Sequence, residues 1–379
     1  MVQKYTKNNR EKYAVYVLVA GGTGGHLFPA LSVAKILKKS AGKVYLFTDE
    51  RVKDIVDDQY IDKVFISNFK KSLFNTQKPK WKLFSKWLNI SFTVRLFFCG
   101  MKSLFLFLKQ RPNVVVGFGG YPSAPTVLAA KFLRIPYVLH ECNSILGRTN
   151  KILANNAAVI TTGFEKIKGI PNQVKSKQVF TGNPIRESIA KLHFRKYIPP
   201  TTSINVFVIG GSQGSELLSN IVPSAIHIVS QKAIHIKVKM QAKEKDCARL
   251  SEQFEKIGIE CTVQPFFKNI ATELRWSHIV ISRAGAITLA EIAAAGIPSI
   301  LIPLSCSLDG DQMNNANDYA NSGAAILIKE ADLSVTQLGD TLLRLCTEQD
   351  LLIKLSESVL KKFVPHAATQ LAYEIMGII

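Results

Sequence analysis

Four stretches of this chain set reactive side chains directly after apolar runs. The first is Gly21-Gly22-Thr23-Gly24-Gly25-His26, which follows Val15–Val19 and precedes a helical pattern. A dinucleotide fingerprint needs G-x-G-x-x-G after a strand. Counted from Gly22, the sequence reads Gly22-Thr23-Gly24-Gly25-His26-Leu27, so the third glycine is missing. A P-loop needs Gly-Lys-Ser/Thr five residues after its first glycine, whereas Gly21 leads to His26-Leu27. What remains is physical. Glycines let backbone approach a ligand closely, and amides at a helix N-terminus favour negative charge. Pro29, read as lying in the first turn, suits a helix start. His26 then stands at the mouth of a cleft with the side chain best poised to exchange a proton near neutrality. A structural and a catalytic role both stay open for it.

The second stretch runs from Ser282 to Glu291, a strand end that turns at Gly285 and enters an Ala-rich helix ending near Gly296-Ile297-Pro298. Thr288 and Glu291 are three residues apart and share a face near that N-terminus. The helix start suits a phosphate, and Glu291 can accept hydrogen bonds from ribose hydroxyls. Glu291 as a simple complement to the helix dipole is the competing reading. The third and fourth stretches are Gly117-Phe118-Gly119-Gly120-Tyr121-Pro122-Ser123 and Leu139-His140-Glu141-Cys142-Asn143. Both follow strands, so both belong at the same carboxyl-end rim as His26. His140 and Glu141 together suggest a metal or acid–base pair, but no second ligand cluster supports metal.

Parallel sheets must position these loops. Strand-like runs at Val15–Val19, Val44–Phe47, Val114–Val116, Tyr137–Leu139, Ala158–Thr161, Val206–Ile209, Ile279–Ser282 and Ser299–Ile302 alternate with helical patterns. That alternation predicts α/β architecture built from βαβ units. A second Gly-Gly turn, Gly210-Gly211-Ser212-Gln213-Gly214-Ser215, follows Val206–Ile209 about half a chain after the first. Two doubly wound domains are therefore expected across the 379 residues, 1–185 and 186–364, with a C-terminal helix at about 365–379 packing back on the first. The six cysteines have no metal-ligand spacing and read as reduced thiols. The N-terminus has no apolar core or cleavage site, so no signal peptide is expected.

The formal charge of +20 calls for a polyanionic partner. From Lys63 to Arg111 the chain has eleven Lys/Arg, no Asp or Glu, and many interleaved aromatics. No RNP, zinc-finger or basic-zipper signature accompanies the charge, which argues against nucleic acid. Cations mixed with large aromatics suit a membrane interface. Lys78, Lys80, Trp81, Lys82, Phe84, Lys86 and Trp87 form the predicted patch. Leu83–Leu108 is the most apolar segment but carries Lys86, Arg95 and Lys102. A central cation costs about 2.5–3.5 kcal/mol on insertion scales, so a partly buried, partly interfacial helix pair is expected rather than a span.

Taken together, GGTGGHLFPA, GFGGYPSAP, HECN with Thr149-Asn150-Lys151, Gly182-Asn183-Pro184-Ile185-Arg186, GGSQGS and SRAGAITLAEIAAAGIPSILIP closely resemble the MurG family. The resemblance runs in order from about Val15 to Ala324. It implies a GT-B fold, two Rossmann-like domains facing a cleft. It implies an inverting N-acetylglucosaminyltransferase that moves GlcNAc from UDP-GlcNAc to the MurNAc C4 hydroxyl of undecaprenyl-pyrophosphoryl-MurNAc-pentapeptide (lipid I), giving lipid II. No cofactor or metal is implied. The implied location is peripheral, on the cytoplasmic face of the bacterial plasma membrane, with anionic lipids and other cell-wall synthesis proteins as partners.

Carried over by motif, His26 is the candidate general base. The resemblance assigns Thr23, Gly24, Gly25, Asn143, Arg186, Ser212, Phe267, Asp311, Gln312 and Asn315 to UDP-GlcNAc. Ala286, Ile287, Thr288, Leu289, Ala290 and Glu291 form the implied UDP-binding helix start. Gly21, Gly22, Gly119, Gly120 and Tyr121 belong to the acceptor-pyrophosphate loops. Departures fall at Cys142, where the family usually has glutamine, at Asp311, and at Val238–Lys245, which lacks a His-Gln-x-Gly pattern. They bear on the fine geometry of donor binding, not on the reaction class. A diacylglycerol-directed GT-B enzyme and a catalytically dead membrane scaffold are the alternatives. Intact donor motifs weigh against the scaffold.

Overall fold

The computed structural model describes residues 13–22, 24–51, 56, 58–67, 82–120, 123–211 and 214–379, with backbone only for 82–93 and 308. The first sheet contains β1 (Val15–Val19), β2 (Lys43–Asp49), β3 (Lys63–Ser67), β4 (Val114–Gly117), β5 (Tyr137–Glu141), β6 (Val159–Thr162) and β7 (Gln178–Phe180). Their order is β3-β2-β1-β4-β5-β6-β7, parallel throughout. The second sheet contains β8 (Ile204–Ile209), β9 (Ile236–Gln241), β10 (Glu260–Gln264), β11 (Ile279–Ser282), β12 (Ser299–Leu301) and β13 (Ile326–Leu327). Its order is β10-β9-β8-β11-β12-β13, again parallel. Each sheet reverses its winding direction once, between β1 and β4 and between β8 and β11. A crevice opens beyond the carboxyl ends of the strands at such a reversal.

The eight runs read as strands all form strands. β3, β7, β10 and β13 went unread because they sit at or beside sheet edges and lack the apolar continuity of buried strands. β9 went unread because it alternates Lys with apolar residues: its pattern faces the core with every second side chain.

Helices α1 (Gly24–Lys39), α2 (Lys82–Gln110), α3 (Ser123–Phe132) and α4 (Arg148–Leu153) accompany the first sheet. The segment expected to form a helix pair is one helix, α2, of 29 residues. Gly100 does not break it, because it faces Pro125 of α3 at close range and the two helices pack there. The buried hydroxyls of Ser103 and Thr126 meet at 3.1 Å in the same contact. Among the described residues no helix is long and apolar enough to cross a membrane.

A short α5 (Glu187–Ala190) lies in the connection to the second sheet, which carries α6 (Glu216–Ser230), α7 (Glu244–Lys256), α8 (Ile270–Trp276), α9 (Ala286–Ala295), α10 (Asp311–Asn321), α11 (Val335–Thr347) and α12 (Gln349–Leu360). Apolar packing does not stop at the boundary between the two sheets. Cys142 and Phe164 from the first half share one buried cluster with Ala284, Ile287 and Ala316 from the second. Phe164 also meets Tyr319 edge to face, at 6.3 Å. The last helix, α13 (Ala367–Met376), returns to the first half, where Leu371, Ala372 and Ile375 join the core built on α1.

The returning strand of chain presses Val364 onto Gly182. Gly182 has φ +74°, and a Cβ there would lie 2.5 Å from Val364 Cβ. Left-handed strain costs about 1–2 kcal/mol and overpacking about 1–3 more. Gly182→Ala should therefore lower Tm by roughly 5–10 °C in a thermal scan. Gly258→Ala, with φ +70° but nothing within 4 Å, bears the strain alone and should lose clearly less. Equal losses in the two variants would mean that the Val364 contact carries no weight.

Candidate active site

The glycine loop after β1 is anchored from below. Asp49, fully buried at the end of β2, accepts the Gly22 N–H at 2.6 Å and three N–H groups of Arg51 at 2.7–3.0 Å. An acid at the end of the second strand is where a dinucleotide site would hold ribose. Here its oxygens are taken by the loop and by Arg51. Sequence reasoning missed both residues, although an acid closing a β-strand in that position was the available signal.

Helix α1 begins at Gly24, so His26 lies inside its first turn and Pro29 in its second, one turn deeper than the sequence suggested. Proline has no N–H, and the helix bond that would close on the Gly25 carbonyl is lost. That carbonyl instead faces the Cys142 thiol, a long contact at 4.0 Å. His26 is half-buried with Nδ1 shielded from solvent. Its ring packs on Gly119, where a Cβ would come within 3.5 Å of Cε1 and φ is +88°. Burial pushes the imidazole below its ordinary 6.5. The Phe118 carbonyl and the negative charge of Asp311 oppose that, while Arg51 reinforces it.

The rim after β5 is ordered by one carboxylate. Glu141, buried, accepts from Asn143 N–H at 3.0 Å and Asn143 Nδ2 at 3.2 Å through one oxygen. Through the other it accepts from Gly147 N–H and Asn150 Nδ2, both at 2.9 Å. Burial raises its pKa against the pull of these donors. His140 has both ring nitrogens occupied, Nδ1 by Thr161 Oγ1 at 3.0 Å and Nε2 by Asn183 Oδ1 at 3.3 Å. Neither residue is free to bind metal, so the pair is structural. Asn183 Nδ2 in turn donates to the Cys142 carbonyl at 2.9 Å.

From this rim the contacts cross to the second half. Asn315 of α10, fully buried, accepts from Ser144 N–H and Oγ at 2.8 and 2.9 Å. Its Nδ2 donates to Asn143 Oδ1 at 3.0 Å and to the Ala284 carbonyl at 3.1 Å. Asn143 and Asn315, both read as sugar ligands, are here partners in a latch between the two halves. Arg148 and Lys168 add ion-pair and hydrogen-bond contacts to Asp309 and Asn314 at 2.6 and 2.7 Å.

Gly285 precedes helix α9 at its N-cap and offers no side chain to cap the first-turn amides. Ala286, Ile287 and Leu289 are buried in the core while Thr288 and Ala290 stay half-exposed. Glu291, buried, accepts from Arg186 NH2 at 2.8 Å, and the Arg186 guanidinium lies over the Phe28 ring at 4.3 Å. Burial raises the Glu291 pKa; Arg186 pulls it down. Arg283, missed as a positioning residue, braces the strand ends from behind. It donates to Ser215 Oγ and the Ile302 carbonyl and pairs with Glu330 at 2.6 Å. Phe267 is buried edge-on against Phe207. Gln312 accepts the Leu304 N–H, Asp311 accepts the Gln312 N–H, and the Gly120 carbonyl accepts from Ser123.

The structure thus gathers His26, Gly119, Asn143, Arg186, Glu291, Asp311 and Asn315 around the facing rims. Thr23, Tyr121, Ser212, Lys78, Lys80 and Trp81 lie outside the described residues, as do the side chains of Lys82, Phe84, Lys86 and Trp87. Among the described residues no group of three His, Cys, Asp or Glu could hold a metal ion.

Residues 16–162 match the glycosyltransferase family 28 N-terminal domain and residues 205–371 its C-terminal domain. A protein of Phenylobacterium zucineum (strain HLK1) is 35% identical over 359 residues, covering 94% of this chain and 96% of its own. One of Rickettsia rickettsii (strain Sheila Smith) is 33% identical over 370 residues, covering 91% and 95%. Both are named UDP-N-acetylglucosamine–N-acetylmuramyl-(pentapeptide) pyrophosphoryl-undecaprenol N-acetylglucosamine transferase. The crystal structure of Acinetobacter baumannii MurG shares the fold, with TM-score 0.74 at 23% identity over 96% of this chain and 99% of that one.

The buried network carries a pH signature. Burial lowers the His140 pKa to about 4, so the folded protein keeps the ring neutral while the unfolded chain protonates near 6.5. Stability should therefore fall as pH drops from about 6.5 to about 4, by on the order of 3 kcal/mol, and level off below. Urea midpoints across that range measure it. His140→Asn should show a shallower slope over the same window, and an unchanged slope would remove His140 as its source.

Proposed function

The chain belongs to glycosyltransferase family 28, and on that premise we propose that it transfers GlcNAc from UDP-GlcNAc to the MurNAc C4 hydroxyl of undecaprenyl-linked lipid I. The product is lipid II, with inversion at the anomeric carbon. The observation that carries this reading is the meeting of two strand-end rims: the Asn143–Asn315 hydrogen bond, at 3.0 Å, ties the rim bearing His26 to the rim that opens onto α9. An acceptor hydroxyl on one side and a nucleotide-sugar on the other is what such a cleft suits.

Charge grows on UDP as the glycosidic bond breaks. The uncapped first-turn amides of α9 offer fixed donors for that charge. Glu291 takes the ribose hydroxyls, which requires it to share or give up the Arg186 guanidinium it now holds. The freed guanidinium can then turn to the diphosphate. His26 accepts the proton of the attacking hydroxyl on the face of the sugar opposite UDP. Its burial keeps the imidazole neutral and able to accept a proton in mildly acidic conditions. Gly119, packed against its ring, fixes where it points.

The acceptor is a lipid, and the outer face of α2 supports docking of the enzyme at a membrane surface. Phe97, Met101, Phe105 and Leu108, at helical spacing, are 48–68% exposed, and Phe98 beside them is 65% exposed. A contiguous exposed apolar stripe of this kind marks an interaction surface. Neighbouring α3 adds Leu128 and Phe132, and Arg95, Lys109 and Arg111 provide cations for anionic headgroups. The basic patch expected at Lys78–Trp87 precedes and opens the same helix.

UDP release from UDP-GlcNAc, with and without lipid I, tests the reaction, and a diacylglycerol arm separates the other acceptor class. His26→Ala should lower turnover about 10²–10⁴-fold with UDP affinity changed little. In the wild type the acid limb of kcat/KM should lie below pH 6.5. Asp311→Asn removes a charge that favours the imidazolium, so it should move that limb lower still. Near-normal turnover in His26→Ala defeats the base assignment. Flotation with anionic liposomes addresses the surface: Phe97→Ser/Phe98→Ser/Phe105→Ser should release most of the bound protein, and undiminished flotation would put the docking face elsewhere.

A further inference from the structure

Beside α1 lies a cavity of about 720 Å³ that no step of the proposed transfer enters. Helix α1, the connection around α5 and the chain returning to α13 form most of it, with Tyr60 at its edge. Its walls are apolar, built from Phe28, Leu31, Ile36, Ile185, Phe363 and Val364. Phe194 stands at its margin with 87% of its surface exposed, its ring edge to face with His193 at 5.9 Å.

The rim has the opposite character. Lys35, Lys39 and Lys191 line it against one acid, Glu187. That carboxylate is already shared by Lys35 at 2.6 Å and Lys191 at 2.9 Å. The first residues of α13 also face the cavity, and no side chain caps that helix start. Positive potential at the mouth and hydrocarbon-like walls inside specify a ligand with one anionic head and one apolar body. The volume falls within the roughly 300–1,000 Å³ typical of small-molecule sites, and the concave shape is unlike the flat surfaces that bind proteins.

We infer that this cavity binds a single-chain anionic amphiphile, with its alkyl chain against Phe28, Leu31 and Phe363 and its head among Lys35, Lys39 and Lys191. Either a fatty carboxylate or an alkyl phosphate has this chemistry. Because Arg186 lines the cavity while also bonding Glu291, the occupant touches the connection between the two halves without entering the cleft.

The test uses the full chain and 11-(dansylamino)undecanoic acid, whose fluorescence rises on entering an apolar site. Saturable one-to-one binding is expected. Laurate and dodecyl phosphate should displace the probe, and whichever does so better identifies the head group preferred. Dodecanol, with the same chain and no charge, should displace it at least tenfold less well. Ala190→Trp and Ala368→Trp each fill the cavity from a different wall and should weaken binding at least tenfold. Lys39→Glu/Lys191→Glu should do the same without filling it. Phe97→Ser/Phe105→Ser, on the distant α2 stripe, should leave binding unchanged. Retained UDP binding shows that each variant is folded. Wild-type affinity in both tryptophan variants, loss of binding in the α2 variant, or equal displacement by dodecanol and laurate would each overturn the assignment.

Discussion

The buried carboxylate of Glu141 is the constraint on which the cleft depends. It sits at the end of β5, where the chain must leave the sheet, and it accepts four N–H groups from the next nine residues. A buried carboxylate with fewer donors would be strongly unfavourable, so the loop has little freedom to take another path. The path it takes sends Asn143 and Ser144 outward against Asn315 and leaves Asn150 within reach of the sheet. His140, one residue earlier, fixes the neighbouring strand ends through Thr161 and Asn183. Such a network is favourable to the extent that its members are satisfied, and here both oxygens of Glu141 and both ring nitrogens of His140 have partners.

The same network determines how the two halves meet. Polar contacts at Asn315, Asp309 and Asn314 give orientation, while the apolar cluster that joins Cys142 and Phe164 to Ala316 and Tyr319 gives area. Hydrogen bonds specify a register that apolar packing alone would leave loose. The Arg186–Glu291 pair differs from the rest. It joins the inter-sheet connection to α9 with a partly buried charge on each side. Breaking a buried pair is costly unless another partner replaces the lost one. A ligand bearing ribose hydroxyls and phosphate supplies a replacement for both members at once, which makes this pair the natural point of exchange between an empty and a loaded cleft.

Much of this was legible in the sequence, and the reason is local. Gly-rich turns after Val-rich runs, Gly285 before an Ala-rich helix and Gly296 after it are signals carried within a few residues. They placed His26, Asn143 and Glu291 just beyond the carboxyl ends of β1, β5 and β11. The signal failed where the cause lay elsewhere in the chain. Asp49 and Arg51 matter because β2 lies beside β1. Arg283 matters because Ser215 and Glu330 come to it from distant segments. The helix pair expected over Leu83–Leu108 is one helix, packed on α3 where Gly100 meets Pro125.

The sequence by itself determined the two parallel sheets, the loops at their carboxyl ends and the family to which the chain belongs, since hydrophobic period and turn residues act over short range. Only the tertiary structure decided what each polar side chain is bonded to. Asn143 and Asn315, read as ligands of the sugar, are paired with each other. Glu291 holds an arginine, and His140 and Glu141 are spent on holding the rim. A side chain's type limits what it can bond, but its partner is fixed by which residues the fold brings within about 3 Å of it, and 172 positions separate Asn143 from Asn315.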